Sequence, residues 1–189
     1  MAKVFPERFP AALENDPKRR AEKVTYGSLS KLDAKHVVFY SVPWHKTERY
    51  RHPKDGEADF IVAHPDKGIL VLEVKGGEIG YDAAQDQWRS ISGGGQVHKI
   101  KDPVKQAHDS KHTLLAKLKE STAWEVRWIT VRHGVILPST APEARDFRPN
   151  MPLKLFAFDE DMDALGLAKP THEPRATEYI DKIIEICKC

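Results

Sequence analysis

The run from Gly56 to Gly77 constrains this chain more than any other segment. It reads Gly56-Glu57-Ala58-Asp59-Phe60-Ile61-Val62-Ala63-His64, then Pro65-Asp66-Lys67, then Gly68-Ile69-Leu70-Val71-Leu72-Glu73-Val74-Lys75-Gly76-Gly77. Apolar, β-branched flanks around a polar turn are the pattern of a β-hairpin. Pairing symmetric about Asp66 places Asp59 opposite Glu73. Directly opposed residues have Cβ atoms about 5 Å apart, and like charges there destabilise the pair. Something must compensate them, and a divalent cation is the natural candidate. Side chains alternate along a strand, so Glu73 and Lys75 share a face with each other and with Asp59. The register decides the matter, because a slip of one residue sends Asp59 to the opposite face. Ile69 to Leu72 is apolar on both faces, which predicts a central strand. Ionisable groups at the end of such a strand point to chemistry rather than packing.

The chain has 189 residues, enough for one domain with a sizeable core. With 40% hydrophobic and 31% charged residues, it has the composition of an ordinary globular protein. The net charge of +2 is too small to imply an anionic partner, so any basic surface must come from clustering. No run approaches the roughly 20 apolar residues of a membrane span. The N-terminus, Met1-Ala2-Lys3-Val4-Phe5-Pro6, lacks the apolar centre of a signal peptide. Both cysteines, Cys187 and Cys189, lie too close together for an ordinary stabilising disulfide, and the expected compartment is the reducing cytoplasm. As a Cys-x-Cys ligand pair they lack the further ligands of a usual structural metal site.

Asp16-Pro17 is a helix start, an N-cap followed by proline at the first helical position. Ala21, Thr25, Ser28, Leu29 and Leu32 carry the helical spacing to about Leu32. Glu22 lies near the edge of that apolar face and reads either as a site acid or as a first-turn charge. His36 to Val42 is a strand closed by Pro43, and residues 45–54 form a polar, basic loop. After the hairpin come short strands around Ile79–Tyr81 and Trp88–Ile91, then a Gly93-Gly94-Gly95 turn leading to Val97. Asp102-Pro103 repeats the helix-start signature, for a helix to about Lys119. One or two strands follow between Trp128 and Leu137, then a strand at Lys154–Phe158. A short acidic helix from Asp159 and a final helix over Thr177–Cys187 complete the chain. That last helix has no stop signal, which suggests a domain cut from a longer chain. The expected organisation is one domain over 1–189, its core at about 17–138, with a strand and helices in 139–189.

On the second helix, Gln106 taken alone reads as an exposed helix former. Lys99, Lys101, Lys105, Lys111, Lys117 and Lys119 make residues 99–119 basic, as a phosphate-facing surface or as a solvated face. His108 and His112 stand at i and i+4, a spacing that suits a metal, but without the His-Glu-x-x-His pattern of zinc proteases.

Taken together, Glu22, Gly56-Glu57-Ala58-Asp59, Val71-Leu72-Glu73-Val74-Lys75-Gly76-Gly77 and Asp102-Pro103-Val104-Lys105-Gln106-Ala107 resemble the nuclease-related domain (NERD) of the PD-(D/E)xK phosphodiesterase superfamily. The likeness runs from about Ala21 to Pro138. Ala58 stands where the superfamily's name has proline. The resemblance implies an α/β restriction-endonuclease-like three-layer core, a mixed central β-sheet flanked by helices. It also implies Mg²⁺- or Mn²⁺-dependent hydrolysis of DNA, in processing or repair beside a fused or associated superfamily 1 helicase. Asp59, Glu73, the backbone carbonyl of Val74 and Glu22 would hold the metal. Lys75 would orient or help deprotonate the attacking water and offset charge on the phosphorus. Gln106 would touch the substrate phosphate or brace the site, and Lys99, Lys101, Lys105 and Lys111 would follow the nucleic-acid backbone. A catalytically silent nucleic-acid-binding or docking module of a helicase is the alternative.

Overall fold

The computed structural model describes residues 1–44, 56–121, 129–143 and 146–162. Strand β1 (Lys3–Phe5) precedes helix α1 (Arg20–Leu29), which continues a 3₁₀ turn over Pro17–Arg19. Asp16 caps that turn as its sequence predicts, its side chain accepting the Lys18 N–H at 2.9 Å. Strands β2 (Val37–Trp44), β3 (Gly56–His64) and β4 (Gly68–Val74) follow, then β5 (Glu78–Asp82), β6 (Gln87–Ile91) and β7 (Val97–Ile100). Helix α2 (Pro103–Glu120) leads to β8 (Val131–Ile136), a 3₁₀ turn over Leu153–Leu155, the two-residue β9 (Phe156–Ala157) and the short α3 (Asp159–Met162).

The main sheet has the order β1-β2-β3-β4-β8-β9, and β5-β6-β7 form a separate antiparallel sheet. β2, β3 and β4 are antiparallel neighbours, whereas β4, β8 and β9 run parallel, so the sheet is mixed. Returning the chain from β4 to the parallel β8 requires a crossover, and the small sheet with α2 supplies it. β4 is central, as its two-sided apolarity predicts.

Alternation divides the sheet between the two long helices. Phe60, Val62, Leu70, Leu72 and Val74 share a cluster with Tyr26, Leu29 and Leu32 on and just beyond α1. Ile61 and Val71, one step out of phase, pack with Leu114 of α2. Helix, sheet and helix thus make three layers, the restriction-endonuclease-like α/β core. A further cluster joins the small sheet to α2 and β8 through Ile79, Trp88, Ala107 and Val135.

Two expectations change. Pro43 does not end β2 but lies within it, opposite Glu57. β1 covers only Val37–Phe39, so among the described residues no strand pairs with that side of β2 at Pro43, where a residue without an N–H is tolerated. The strand expected at Lys154–Phe158 shrinks to two residues behind a 3₁₀ turn. The basic loop at 45–54, the start at Trp128 and the final helix with Cys187 and Cys189 fall outside the described residues.

Gly76-Gly77 turns the chain out of β4 and into β5. Gly77 has φ +84°, and a Cβ there would sit 2.6 Å from Ser90 Oγ and 2.8 Å from the Ile91 carbonyl. At Gly76 a Cβ would meet the Ala21 methyl at 3.2 Å, so α1 starts in close contact with the end of β4. Gly77→Ala is expected to destabilise the fold by about 1–3 kcal/mol, the usual range for a strained backbone position. Urea unfolding measures it, and a variant of wild-type stability would contradict this reading of the turn.

Candidate active site

The hairpin register is the symmetric one: Phe60 pairs with Leu72, Ile61 with Val71 and His64 with Gly68. Asp59 and Glu73 are the next pair outward, beyond the last paired residues of the ladder. There the Val74 N–H donates to Asp59 Oδ2 at 2.7 Å, so a carboxylate takes the place of a backbone acceptor. β2 is also interrupted at this level. Tyr40 pairs with Phe60 and Val42 with Ala58, but Ser41, between them, has φ +53° and no partner in the ladder. A non-glycine residue with positive φ in a strand is strained, and such strain tends to gather at functional sites. The Ser41 hydroxyl donates to Glu57 Oε1 at 2.5 Å.

Glu73 is almost fully buried, and its Oε1 accepts from Lys75 Nζ at 2.6 Å. The shared face of these two residues follows directly from strand alternation. Burial raises the Glu73 pKa against the pull of Lys75, and Glu22 and Glu57 raise it further. Asp59 is pushed up to about 7, first by burial and then by the Glu73 charge, with a smaller push from Glu22; the Val74 N–H and Lys75 oppose the shift. Burial first, and the opposed acid second, thus favour the protonated form of Asp59.

Glu22 reaches the same place from α1, on the opposite face of the sheet. It is buried, and Arg19 Nη1 donates to Oε1 and Oε2 at 2.8 and 2.9 Å. The Tyr40 hydroxyl donates to Oε2 at 2.7 Å, and burial followed by Glu22 raises the Tyr40 pKa, keeping that proton in place. The structure thus gathers Glu22, Asp59, Glu73, Val74 and Lys75 where the β3–β4 ladder ends. Gln106 lies one turn into α2 with its side-chain oxygen buried and without a hydrogen-bond partner among the described residues. No hydrogen bond joins it to the acids among the described residues. Lys99, Lys101 and Lys105 are exposed and Lys111 is half-buried. Lys105 pairs with Asp109 at 3.2 Å, a surface contact worth at most about 1 kcal/mol.

Sequence reasoning missed Arg19, Tyr40 and Glu57. Arg19 stands three residues before Glu22, a spacing that pairs charges on a helix, so its signal was readable. Glu57 shares strand parity with Asp59, a second readable signal. Tyr40 had none, because its approach to Glu22 depends on how α1 lies across β2. Four carboxylates (Glu22, Glu57, Asp59, Glu73) meet two cations (Arg19, Lys75), which leaves two negative charges when all are ionised. An all-oxygen donor set with that deficit fits a hard divalent cation.

The nuclease-related domain profile matches residues 17–138, well over half of the chain, and the chain belongs to that family. The PD-(D/E)xK superfamily assignment follows from it. Among curated proteins it is similar over short segments to cysteine–tRNA ligases. The ligase of Trichlorobacter lovleyi is 48% identical over 44 residues, 23% of this chain and 9% of that protein. The ligase of Variovorax paradoxus is 57% identical over 30 residues, 16% and 6% of the two chains. The chain thus spans less than a tenth of the length of these relatives. No solved structure matches it significantly.

Asp59 gives the site a pH signature. Its folded pKa of about 7 lies well above the ordinary aspartate range, so its protonation favours the folded state. That contribution is complete below the unfolded pKa and is lost as pH rises through about 7. In metal-free protein, melting temperature is expected to fall from pH 5 to pH 8 more steeply in wild type than in Asp59→Asn. At the upper pH the variant is expected to melt no lower than wild type. Parallel pH profiles from calorimetry would remove the raised pKa from the account.

Proposed function

We propose that the chain is a metal-dependent nuclease that hydrolyses phosphodiester bonds of DNA. The observation that carries this reading is the convergence of Asp59, Glu73 and Lys75 at the end of a central strand, with Lys75 Nζ 2.6 Å from Glu73 Oε1. Asp59 and Glu73 would hold Mg²⁺ or Mn²⁺, with the Val74 carbonyl and Glu22 as further ligands. When bound, such an ion supplies Lewis-acid polarisation of the phosphate and a more acidic water. Its arrival would also favour loss of the proton held on Asp59, through the same charge balance that raises that pKa.

The chain's own residues supply the remaining steps. Lys75 has three N–H donors and gives one to Glu73, which leaves two to orient the attacking water and a non-bridging phosphate oxygen. There it offsets the negative charge that builds on the phosphoryl group. Arg19 and Tyr40 fix Glu22, so that this carboxylate meets the site in one rotamer. Gln106 would offer its side-chain amide to the substrate phosphate or brace the site. Lys99, Lys101, Lys105 and Lys111 would track the nucleic-acid backbone. A role in DNA processing or repair beside a superfamily 1 helicase, in the cytoplasm, completes the proposal. Residues 17–138 would form its core and 139–189 an appended part of the same unit.

The deciding assay incubates labelled single- and double-stranded DNA with the protein in Mg²⁺, Mn²⁺ or EDTA. Cleavage is expected with either metal, not in EDTA, and not with Lys75→Ala, which should still fold and bind. Unchanged turnover in Lys75→Ala would remove the mechanism. Binding without cleavage under every metal condition would favour the silent docking module instead. If the lysines contact phosphates, affinity falls steeply with salt, and each of Lys105→Ala and Lys111→Ala lowers the log–log slope by about one. An unaltered slope in the double variant would return both to a solvated face.

A further inference from the structure

Helix α2 carries two imidazoles that the acidic site does not use. Ala107, Ser110 and Leu114 turn toward the sheet, whereas His108 and His112 lie on the flank of the helix that meets β8. Four residues apart, they stand one above the other on a single helix face. Their Nε2 atoms are 3.1 Å apart and their ring centroids 4.3 Å apart. Both side chains are exposed, so an ion from solvent reaches them without opening the fold. His133 of β8 meets His108 edge to face, with centroids 5.4 Å apart, and steadies that ring by packing. Asp109 Oδ1 lies 3.6 Å from His108 Nδ1, which favours the proton there and leaves the lone pair of His108 on Nε2, the nitrogen that faces His112. A carboxylate beside the far nitrogen is how metal-binding histidines are commonly oriented.

The way the rings point separates a chelate from a plain hydrogen bond. Two imidazole nitrogens bonded head-on at this separation would put the ring centroids about 5.4 Å apart. Two nitrogens that both point at one ion about 2.05 Å away would put them about 4.8 Å apart. The observed 4.3 Å is closer to the second arrangement, with the nitrogens side by side on converging rings. The 3.1 Å separation and that bond length give an angle at the ion of about 98°, between the right angle of square-planar sites and the tetrahedral angle. Closing on the ion asks His112 only to carry its proton on Nδ1.

We propose that His108 and His112 chelate a borderline divalent cation of the Zn²⁺ class, at a site separate from the acids. Two imidazoles favour such an ion over Mg²⁺, which takes oxygen ligands. Water fills the remaining coordination positions on the exposed side. The intervening Asp109-Ser110-Lys111 lacks the glutamate that serves as general base in His-Glu-x-x-His enzymes, so the role is structural. The chelate forms only when the two residues are in helical register. Bound there, the ion clamps one turn of α2, the helix that covers Ile61 and Val71 and carries Gln106.

The test titrates Zn²⁺ into the chelator-stripped full chain, with Mg²⁺ in large excess to occupy the acids. Cys187→Ser and Cys189→Ser remove the competing thiols. Zn²⁺ at roughly a hundredfold excess over Kd is expected to raise the melting temperature by several degrees. It is also expected to shift the imidazole proton resonances of His108 and His112, which Mg²⁺ alone leaves in place. His108→Ala or His112→Ala, each at an exposed position, should leave the metal-free melting temperature nearly unchanged. Either should lower Zn²⁺ affinity by about tenfold or more, because the second bond of a chelate forms at high effective concentration. Affinity that survives both single substitutions would place the ion elsewhere. Unshifted imidazole resonances would leave a hydrogen-bonded pair and no site. Either result overturns the proposal.

Discussion

Burying several carboxylates within reach of one another is the constraint around which the described structure is arranged. Asp59 and Glu73 sit at the end of a hairpin whose other positions are almost all apolar, where the charged form of each is penalised by burial and by its neighbour. The protein answers locally: Lys75 on Glu73, the Val74 N–H on Asp59, and Arg19 with Tyr40 on Glu22. None of these removes the deficit, and a proton held near neutrality on Asp59 takes up part of what remains.

That arrangement requires the sheet to open where the acids meet. Were the β3–β4 ladder to continue past Phe60 and Leu72, Val74 would have a backbone partner and Asp59 no N–H to accept. Were Ser41 in the usual extended conformation, its hydroxyl would not be expected to reach Glu57. Interrupting the ladder costs hydrogen bonds and backbone strain, and the apolar layers on both sides of the sheet make that affordable. α1 and α2 each cover one face of β3 and β4, and the close contact of Ala21 with Gly76 brings Glu22 to the same end. The opposite end of β3 has a different character: there His64 is buried against the ring of His36, which precedes β2.

The hairpin, its register and the alignment of Glu73 with Lys75 were legible in the sequence because strand alternation and turn symmetry are local rules. The helix starts at Asp16-Pro17 and Asp102-Pro103 were legible for the same reason: a side-chain cap and a proline act within one turn. Local rules failed where an element's neighbours set the outcome. Pro43 reads as a strand end until β1 proves too short to need its N–H, and Lys154–Phe158 reads as a full strand although only two of its residues find a strand partner among the described residues. Glu22 was undecidable by position, since a first-turn acid and a site acid look alike along one helix. The packing of α1 over β2 separates the two readings, by bringing Tyr40 and Arg19 onto it. The contact of His36 with His64 was not legible, because the two are distant in sequence and only the β2–β3 register sets them side by side. Sequence alone determined the elements and the faces their side chains share, through torsional preference and alternation. Tertiary structure decided which ionisable groups are buried together, because burial and proximity belong to the packed layers and to no single segment.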